Sequence, residues 1–177
     1  MAKHNPFKFD PEKAVEVILY IASRAPVRNI YRVLKLLYFA DKAHLEQYGR
    51  FICGDSYVAM KSGPVPSGTY DIIRHIRGDG IYSFAEHARH AFAVHENHQI
   101  SPLRDPDLTF FSESDLECLD LAVKEYGALS GAQLKRLSHD QAYRAADEND
   151  FIDIEQIARM FPGGEKLIKH LQDPYPG

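Results

Sequence analysis

The sequence contains no tryptophan, only two cysteines, and no apolar run long enough to cross a bilayer. Cys53 and Cys118 lie far apart and lack the paired spacing of a zinc site, so both are expected to be free thiols. The first residues, MAKHNPFKFDPEK, also lack the apolar segment of a signal peptide. These absences predict a cytoplasmic protein that has no contact with a membrane.

An excess of basic residues is missing as well. The chain has 21 Lys and Arg residues against 25 Asp and Glu residues, for a formal net charge of -4. Proteins that bind the phosphate backbone of a nucleic acid usually have basic residues clustered on one face. Nucleic acid is therefore not expected as a partner. Short basic stripes of the kind found on solvated helix faces are present at Arg24, Arg28, Arg32 and Lys35, and at Arg74 and Arg77.

The length and composition are sufficient for a packed core. With 177 residues, 45% of them hydrophobic, the chain can bury a core without disulfides or metals. No repeat or low-complexity block divides the sequence, so one domain is predicted over residues 1–172 and a frayed end over residues 173–177. The residue pattern predicts a mainly α-helical, compact single-domain fold with a small β-hairpin or minor antiparallel sheet.

Apolar residues recur at helical spacing in segments that have recognisable start and stop signals. Asp10 and Pro11 begin the first predicted helix, which ends near Arg24. Asn29 begins the second, which ends near Gly49. Further helices are predicted after caps at Ser67 and Asp140, after capping boxes at Ser114 with Glu117 and Ser130 with Gln133, and over residues 154–160 and 165–171.

Two regions have the pattern of short strands. Residues 57–60 form a strand candidate, and the following Gly-Pro-Val-Pro, residues 63–66, is expected to be a loop of fixed shape because proline cannot continue a helix or a central strand. Apolar residues 92–94 and 99–100 flank Glu96 and Asn97, which predicts a small hairpin. Residues 101–111 are expected to be extended or looped.

A long, ordered set of motifs runs through the chain: KLLYFADKAHL at residues 35–45, YGR at 48–50, GD at 54–55, YVAMK at 57–61 and GPVPSG-x-YD at 63–71. L-x-x-LD at 116–120, YG at 126–127, LS at 129–130 and LSHD at 137–140 extend the set. Together these motifs resemble the Panacea domain, also called SocA-like, over roughly residues 12–158. Their order and spacing are more specific than any one short motif.

The resemblance implies a mostly α-helical bacterial or phage protein that serves as the antitoxin of a toxin–antitoxin system. Its expected partner is a cognate toxin protein, which members of the family bind directly. The family's namesake acts as an adaptor that delivers its toxin to the ClpXP protease, so proteolytic delivery is an alternative to sequestration. A phage-associated regulatory role in protein binding is a further alternative. No cofactor is expected.

Candidate partner-binding residues lie on the second predicted helix and in the segment that follows it. Asp41 and His44 are expected to reach the segment over residues 55–66. They either position that segment for a partner or only satisfy its backbone groups, since an unpaired buried donor costs roughly 1–3 kcal/mol. The candidate set comprises Lys35, Tyr38, Asp41, Lys42, His44, Tyr48, Asp55, Tyr57, Met60, Lys61, Pro64, Pro66 and Tyr70.

Residue types that can carry other chemistry are present without a matching pattern. Ser138, His139 and Asp140 are adjacent in sequence, whereas the members of a catalytic triad converge from different segments. No phosphate loop or nucleophile elbow is present, and catalysis is not predicted. Four histidines are clustered in the sequence: His87, His90, His95 and His98. They do not predict a metal site, because no cysteine is near them and their spacing is not diagnostic of one.

Overall fold

The structure of the protein is a computed structural model that describes residues 5–173. Over these residues the fold is mainly α-helical, as the sequence predicts. Residues 174–177, which belong to the predicted frayed end, lie outside the described residues. The α-helices are α1 (Pro11–Arg24), α2 (Ile30–Tyr48), α3 (Ser67–Arg77), α4 (Glu113–Tyr126), α5 (Gly131–Ser138), α6 (Gln141–Arg144), α7 (Ile154–Ala158) and α8 (Gly164–Gln172).

The strands of the described residues form two separate antiparallel hairpins. In the first, β1 (Tyr57–Met60) pairs with β2 (Gly63–Pro66), and in the second, β3 (Phe92–Val94) pairs with β4 (Ile100–Pro102). The second hairpin confirms the prediction. The prediction of a loop over residues 63–66 is wrong, because these residues form β2. Proline is tolerated there because β2 is an edge strand, where a missing N–H breaks no continuing ladder.

Helix α2 lies at the centre of the fold. It packs against α1, α3, α4, α5 and β2. With 19 residues it is about 28 Å long, so it links distant parts of the protein. Most sides of α2 are buried. The buried residues include Lys35, Asp41 and His44, whose polar side chains each need a partner inside the protein.

Several predicted helix starts and stops are confirmed. Asp10 accepts a hydrogen bond from the backbone N–H of Lys13 at the start of α1. The side chain of Asn29 caps α2 in the same way, and α2 ends at Gly49, whose φ of 79° places it in the left-handed region. The capping box predicted for α5 and the Asp140 cap predicted for α6 are also present.

The capping box predicted for α4 is wrong by two residues. Ser112 and Asp115 form it, not Ser114 and Glu117. Both pairs satisfy the local rule, so the sequence does not choose between them. The choice depends on contacts with other helices, because Asp115 also binds the Lys13 ammonium of α1 at 2.7 Å.

Other differences concern short or irregular elements. Ser67 is the first residue of α3 and not its cap, and the preceding Pro66 makes no side-chain hydrogen bond. The sequence predicts that the helix after the Asp140 cap extends to residue 147, but α6 ends at Arg144. The 3₁₀-helix at Ser83–His90 was not expected, and a second at Leu108–Phe110 lies in the region expected to be looped. Such elements have weak sequence signals.

Cys53 and Cys118 are buried free thiols, as the sequence predicts. Burial raises the pKa of Cys118 to about 11, which keeps the thiol protonated and unreactive at neutral pH. Among the described residues, no helix combines the length and the apolar character needed to cross a membrane.

Candidate functional site

The carboxylate of Asp41, in the middle of α2, holds the segment that leads from α2 to β1. Its Oδ1 accepts a hydrogen bond from the backbone N–H of Ile52 at 2.7 Å, and its Oδ2 accepts one from the Tyr57 hydroxyl at 2.6 Å. Burial raises the pKa of Asp41 to about 7, although both hydrogen bonds act in the opposite direction. Asp41 therefore ties the start of β1 to the centre of the fold.

His44 holds the same segment one turn further along α2. Its Nδ1 lies 2.8 Å from the carbonyl oxygen of Arg50, which can only accept, so Nδ1 carries the proton and donates. Its Nε2 then accepts a hydrogen bond from the Ser114 hydroxyl at 2.9 Å. Burial lowers the pKa of His44, which favours this neutral form of the ring. His44 thus joins α2 to α4 as well as to the segment before β1.

Asp55 supplies the cap that α3 lacks within its own sequence. Its carboxylate accepts hydrogen bonds from the backbone N–H groups of Gly68 at 2.9 Å and Thr69 at 2.8 Å, and from the Thr69 hydroxyl at 2.7 Å. These N–H groups belong to the first turn of α3, where no intrahelical acceptor is available. The negative charge is also favourable at a helix N-terminus. Asp55 therefore sets where α3 begins.

Tyr38 and Lys42 connect α2 to α6 through one carboxylate. Asp140 Oδ2 accepts hydrogen bonds from the Tyr38 hydroxyl at 2.6 Å and the Lys42 ammonium at 2.9 Å, while Oδ1 accepts from the backbone N–H of Tyr143. The Tyr143 hydroxyl donates to the carbonyl oxygen of Met60 at 2.6 Å. This chain of contacts fixes the end of β1 relative to α2.

Lys35 lies close to the β1–β2 turn and is 1% exposed. Its Nζ donates to the carbonyl oxygen of Pro64 at 2.7 Å and lies 4.9 Å from the centre of the Tyr31 ring. Burial lowers the pKa of Lys35 to about 7. Gly63 has a φ of 124°, and a Cβ there would stand 2.9 Å from Lys35 Cε. Glycine is therefore required where β2 passes over this lysine.

An open groove of about 530 Å³ lies beside Lys35. It is bounded by the first turns of α2, the β1–β2 turn, α3 and the β3–β4 turn. Four of its lining side chains are buried: the apolar Ile30, Leu34 and Val65, and Lys35. The lining residues, none of them acidic within the described part of the chain, are Asn29, Ile30, Tyr31, Leu34, Lys35, Met60, Lys61, Ser62, Val65, Tyr70, Arg77, Asn97, His98 and Asn149.

Two of the lining residues have unusual backbone conformations. His98 and Asn149, with φ of 65° and 63°, are the positive-φ residues other than glycine in the described part of the chain. Such conformations persist when surrounding contacts require them. The carbonyl oxygen of His98 accepts from the N–H of Ile30 at 2.9 Å, and the N–H of Asn149 donates to the carbonyl oxygen of Ala59 at 2.7 Å. Both turns are thus held in place at the groove.

The sequence matches a known protein family. The family model described as "Antitoxin SocA-like, Panacea domain" matches residues 33–143. The chain belongs to this family. The match confirms the resemblance seen in the motifs, over a shorter stretch than residues 12–158. In this Panacea domain the matched residues include nearly all of α2, both hairpins and most of the groove lining. A search of curated proteins and a search of solved structures each found no match.

The candidate residues fall into different parts of the Panacea domain. Lys42 is bonded to Asp140, and Tyr48 lies at the far end of α2, where its hydroxyl donates to Glu117 at 2.8 Å. Partner contact stays a prediction for all of these residues. Lining the groove are Lys35, Met60, Lys61 and Tyr70. The other candidates are buried within the fold and do not line the groove: Tyr38, Asp41, His44, Asp55, Tyr57, Pro64 and Pro66.

The sequence prediction did not include several residues of the groove. Tyr31 and Leu34 share a face of α2 with Lys35, so helical spacing was a signal that could have found them. His98 and Asn149 have no such signal, because they reach the groove from distant turns. Tertiary structure alone brings those turns to α2.

The clustered histidines do not converge on one another. His87 Nε2 lies 3.3 Å from the carbonyl oxygen of Pro11, and His95 Nε2 lies 2.7 Å from the Ser101 hydroxyl. Over residues 5–173, no group of three or more His, Cys, Asp or Glu side chains has an arrangement that could hold a metal ion.

The Ser138-His139-Asp140 run has separate structural contacts. The Ser138 hydroxyl donates to the carbonyl oxygen of Lys135 at 3.1 Å, while Asp140 caps α6. The basic stripe on α2 is also interrupted, because Arg32 is buried and donates to the carbonyl oxygen of Gly127 at 2.8 Å.

Proposed function

We propose that this Panacea domain is an antitoxin that neutralises a cognate toxin protein by binding it directly. The family match over residues 33–143 carries the proposal, since the family is described as antitoxin. The step from the family to this chain is an argument by analogy.

The groove is the surface that we assign to the toxin. It combines an apolar lining with the aromatic rings of Tyr31 and Tyr70 and the guanidinium of Arg77. Tyrosine and arginine are the residue types that contribute most to protein–protein binding. Lys61, at the β1–β2 turn, is exposed and makes no ion pair with any described residue, so its charge is available to a partner.

The internal contacts of α2 support this assignment because they fix the groove before any partner arrives. Asp41 and His44 hold the segment before β1, and Asp140 holds the end of β1 through Tyr143. A surface that is already ordered loses little conformational entropy on binding. The buried candidate residues thus act on the partner through the shape of the groove.

Co-expression with neighbouring genes tests the function. We expect one adjacent gene to arrest growth when expressed alone, to be harmless with this protein, and to yield a product that co-purifies with it. If no adjacent gene behaves in this way, the antitoxin assignment is wrong. Repeating the assay in cells without ClpXP tests the delivery alternative: neutralisation that is lost in those cells, with toxin persisting, would replace sequestration by delivery.

Substitutions in the groove test its role in the same assay. Lys61→Ala and Tyr70→Ala are expected to weaken neutralisation while leaving the thermal midpoint nearly unchanged. Lys166→Ala is the matched control, because Lys166 is an exposed lysine of α8, outside the groove. If Lys61→Ala and Tyr70→Ala lose stability and neutralisation to the same extent, these residues only maintain the fold.

A further inference from the structure

The groove is basic in a chain that is acidic overall. Its lining contains Lys35, Lys61, Arg77 and His98 and no carboxylate, whereas the formal net charge of the chain is -4. Arg77 is already paired with Asp79, which does not line the groove, so the exposed Lys61 carries most of the free charge. A concave surface with charges of one sign attracts a ligand of the opposite sign.

The buried amino group of Lys35 is incompletely bonded. In its charged form it has three N–H donors, and the carbonyl oxygen of Pro64 is its hydrogen-bond acceptor among the described residues. No described carboxylate lies within 4.0 Å of its Nζ. The Tyr31 ring partly offsets the missing counter-ion. A buried charge is normally paired, so a carboxylate brought by a partner would favour the charged form of Lys35 and complete this site.

The uncharged part of the lining limits what can bind. Ile30, Leu34 and Val65 line the groove next to the lysines with the small apolar part of each side chain that is exposed. A phosphate backbone would leave this surface without a complementary group, whereas a peptide can place an apolar side chain on it beside a carboxylate. The volume of about 530 Å³ lies within the usual range for ligand sites.

We propose that the groove binds an acidic segment of the toxin. An apolar side chain of that segment packs against Ile30, Leu34 and Val65, and a neighbouring Asp or Glu carboxylate pairs with Lys35 and Lys61. The identity of the partner rests on the proposed antitoxin function, but the chemistry of the bound segment is testable without the toxin.

Peptide pools test the chemistry directly on the whole protein. One pool contains short acetylated peptides with an aromatic or aliphatic residue flanked by Asp and Glu, and the matched pool has Asn and Gln in their place. In ¹⁵N-labelled protein, we expect the acidic pool to shift the amide resonances of Tyr31, Lys61, Ser62 and Tyr70. We expect binding of the amide pool to be at least about tenfold weaker.

Three outcomes of the titration would overturn the proposal. These are equal shifts with both pools, no shift with either pool, and shifts that lie outside the groove. Larger shifts of the same resonances with a short single-stranded DNA would assign the groove to nucleic acid instead. Added salt should weaken binding of the acidic pool, because the Lys61 ion pair is exposed to solvent.

Charge variants connect the peptide result to the toxin. Lys61→Glu is expected to abolish the preference for the acidic pool, and Lys35→Met to reduce it, while Lys166→Glu reverses a charge on α8 without effect. Lys61 is exposed, so Lys61→Glu keeps the test valid even if Lys35→Met fails to fold. A toxin that binds the wild-type protein and Lys61→Glu equally would refute the acidic segment and leave the antitoxin function standing. If the protein prefers the acidic pool but no adjacent gene encodes a toxin, the antitoxin function is refuted and the preference of the groove for acidic peptides stands.

Discussion

The Tyr57 hydroxyl donates a 2.6 Å hydrogen bond to the Asp41 carboxylate at a place where both residues are almost completely buried. Tyr57→Phe removes this donor and leaves one carboxylate oxygen without a partner. We expect the free energy of unfolding to fall by roughly 1–3 kcal/mol, measured by denaturant titration. Tyr48→Phe removes the same atom from an exposed contact with Glu117 and is expected to change little. Equal losses in the two variants would contradict a special role for the buried pair.

Asp41 gives the protein a pH-dependent stability. Its pKa is about 7 in the folded state and about 3.9 in an unfolded chain, so the folded state holds the proton more tightly. The stabilisation is complete below about pH 4 and is lost as the pH rises to about 7. The unfolding free energy of the wild type should therefore fall relative to that of Asp41→Asn by up to about 1.4 kcal/mol per pH unit in this window. A difference that is constant with pH, in urea titrations, would show that Asp41 is ionised throughout.

The contribution of Lys35 to stability depends on pH in the opposite direction. Its pKa is about 7 in the folded state and about 10.4 in an unfolded chain, so the folded state favours the neutral amine. This contribution is fully present above about pH 10 and is lost as the pH falls to about 7. Relative to Lys35→Met, the wild type should gain unfolding free energy between about pH 7 and pH 9. Tyr31 and His139 also face Lys35, but burial raises the pKa of Tyr31 and lowers that of His139, away from this window.

If the wild type shows no gain over Lys35→Met in that range, the ammonium remains charged in the folded protein. The measurement is the same series of urea titrations, continued to higher pH. The double variant Asp41→Asn with Lys35→Met serves as the control, since it should have a flatter stability profile across neutral pH than either single variant.

Gly63 is expected to be intolerant of any side chain. A Cβ at this position would lie 2.9 Å from both Lys35 Cε and Ser138 Oγ, on a backbone with a φ of 124°. Gly63→Ala should lower the free energy of unfolding by roughly 1–3 kcal/mol, measured by thermal and denaturant unfolding. Gly131→Ala, at the start of α5, meets no atom within 4 Å and should leave stability unchanged or raise it. A similar response of both glycines would show that β2 can move away from Lys35.

The sequence was most informative where structure depends on neighbouring residues. Asp10, Asn29 and Gly49 mark helix ends through contacts within a turn, and the structure agrees with all three. The α4 cap was misplaced because the choice between Ser112 and Ser114 depends on Lys13, about one hundred residues away. The same reason applies to β2, because its proline content predicts a loop, whereas pairing with β1 makes it a strand.

The candidate site was predictable only in part. The motif residues on α2 were recognised, but the sequence could not show which of them are used up inside the fold. Asp41 and His44 both bond backbone groups of the segment before β1, which was one of the two alternatives considered. The groove itself needs His98 and Asn149, which approach from turns that no local pattern connects to α2.

Helix α2 holds the scaffold, and the groove beside it is open to the outside. The carboxylate, imidazole and hydroxyl groups of α2 fix the fold from within, whereas groove residues such as Lys61 and Tyr70 lie on the β1–β2 turn and on α3. Exchange of these outward-facing residues leaves the internal bonds of Asp41 and His44 intact. A domain built in this way can change what it recognises by small steps at a few surface positions, with no step that passes through an unfolded chain.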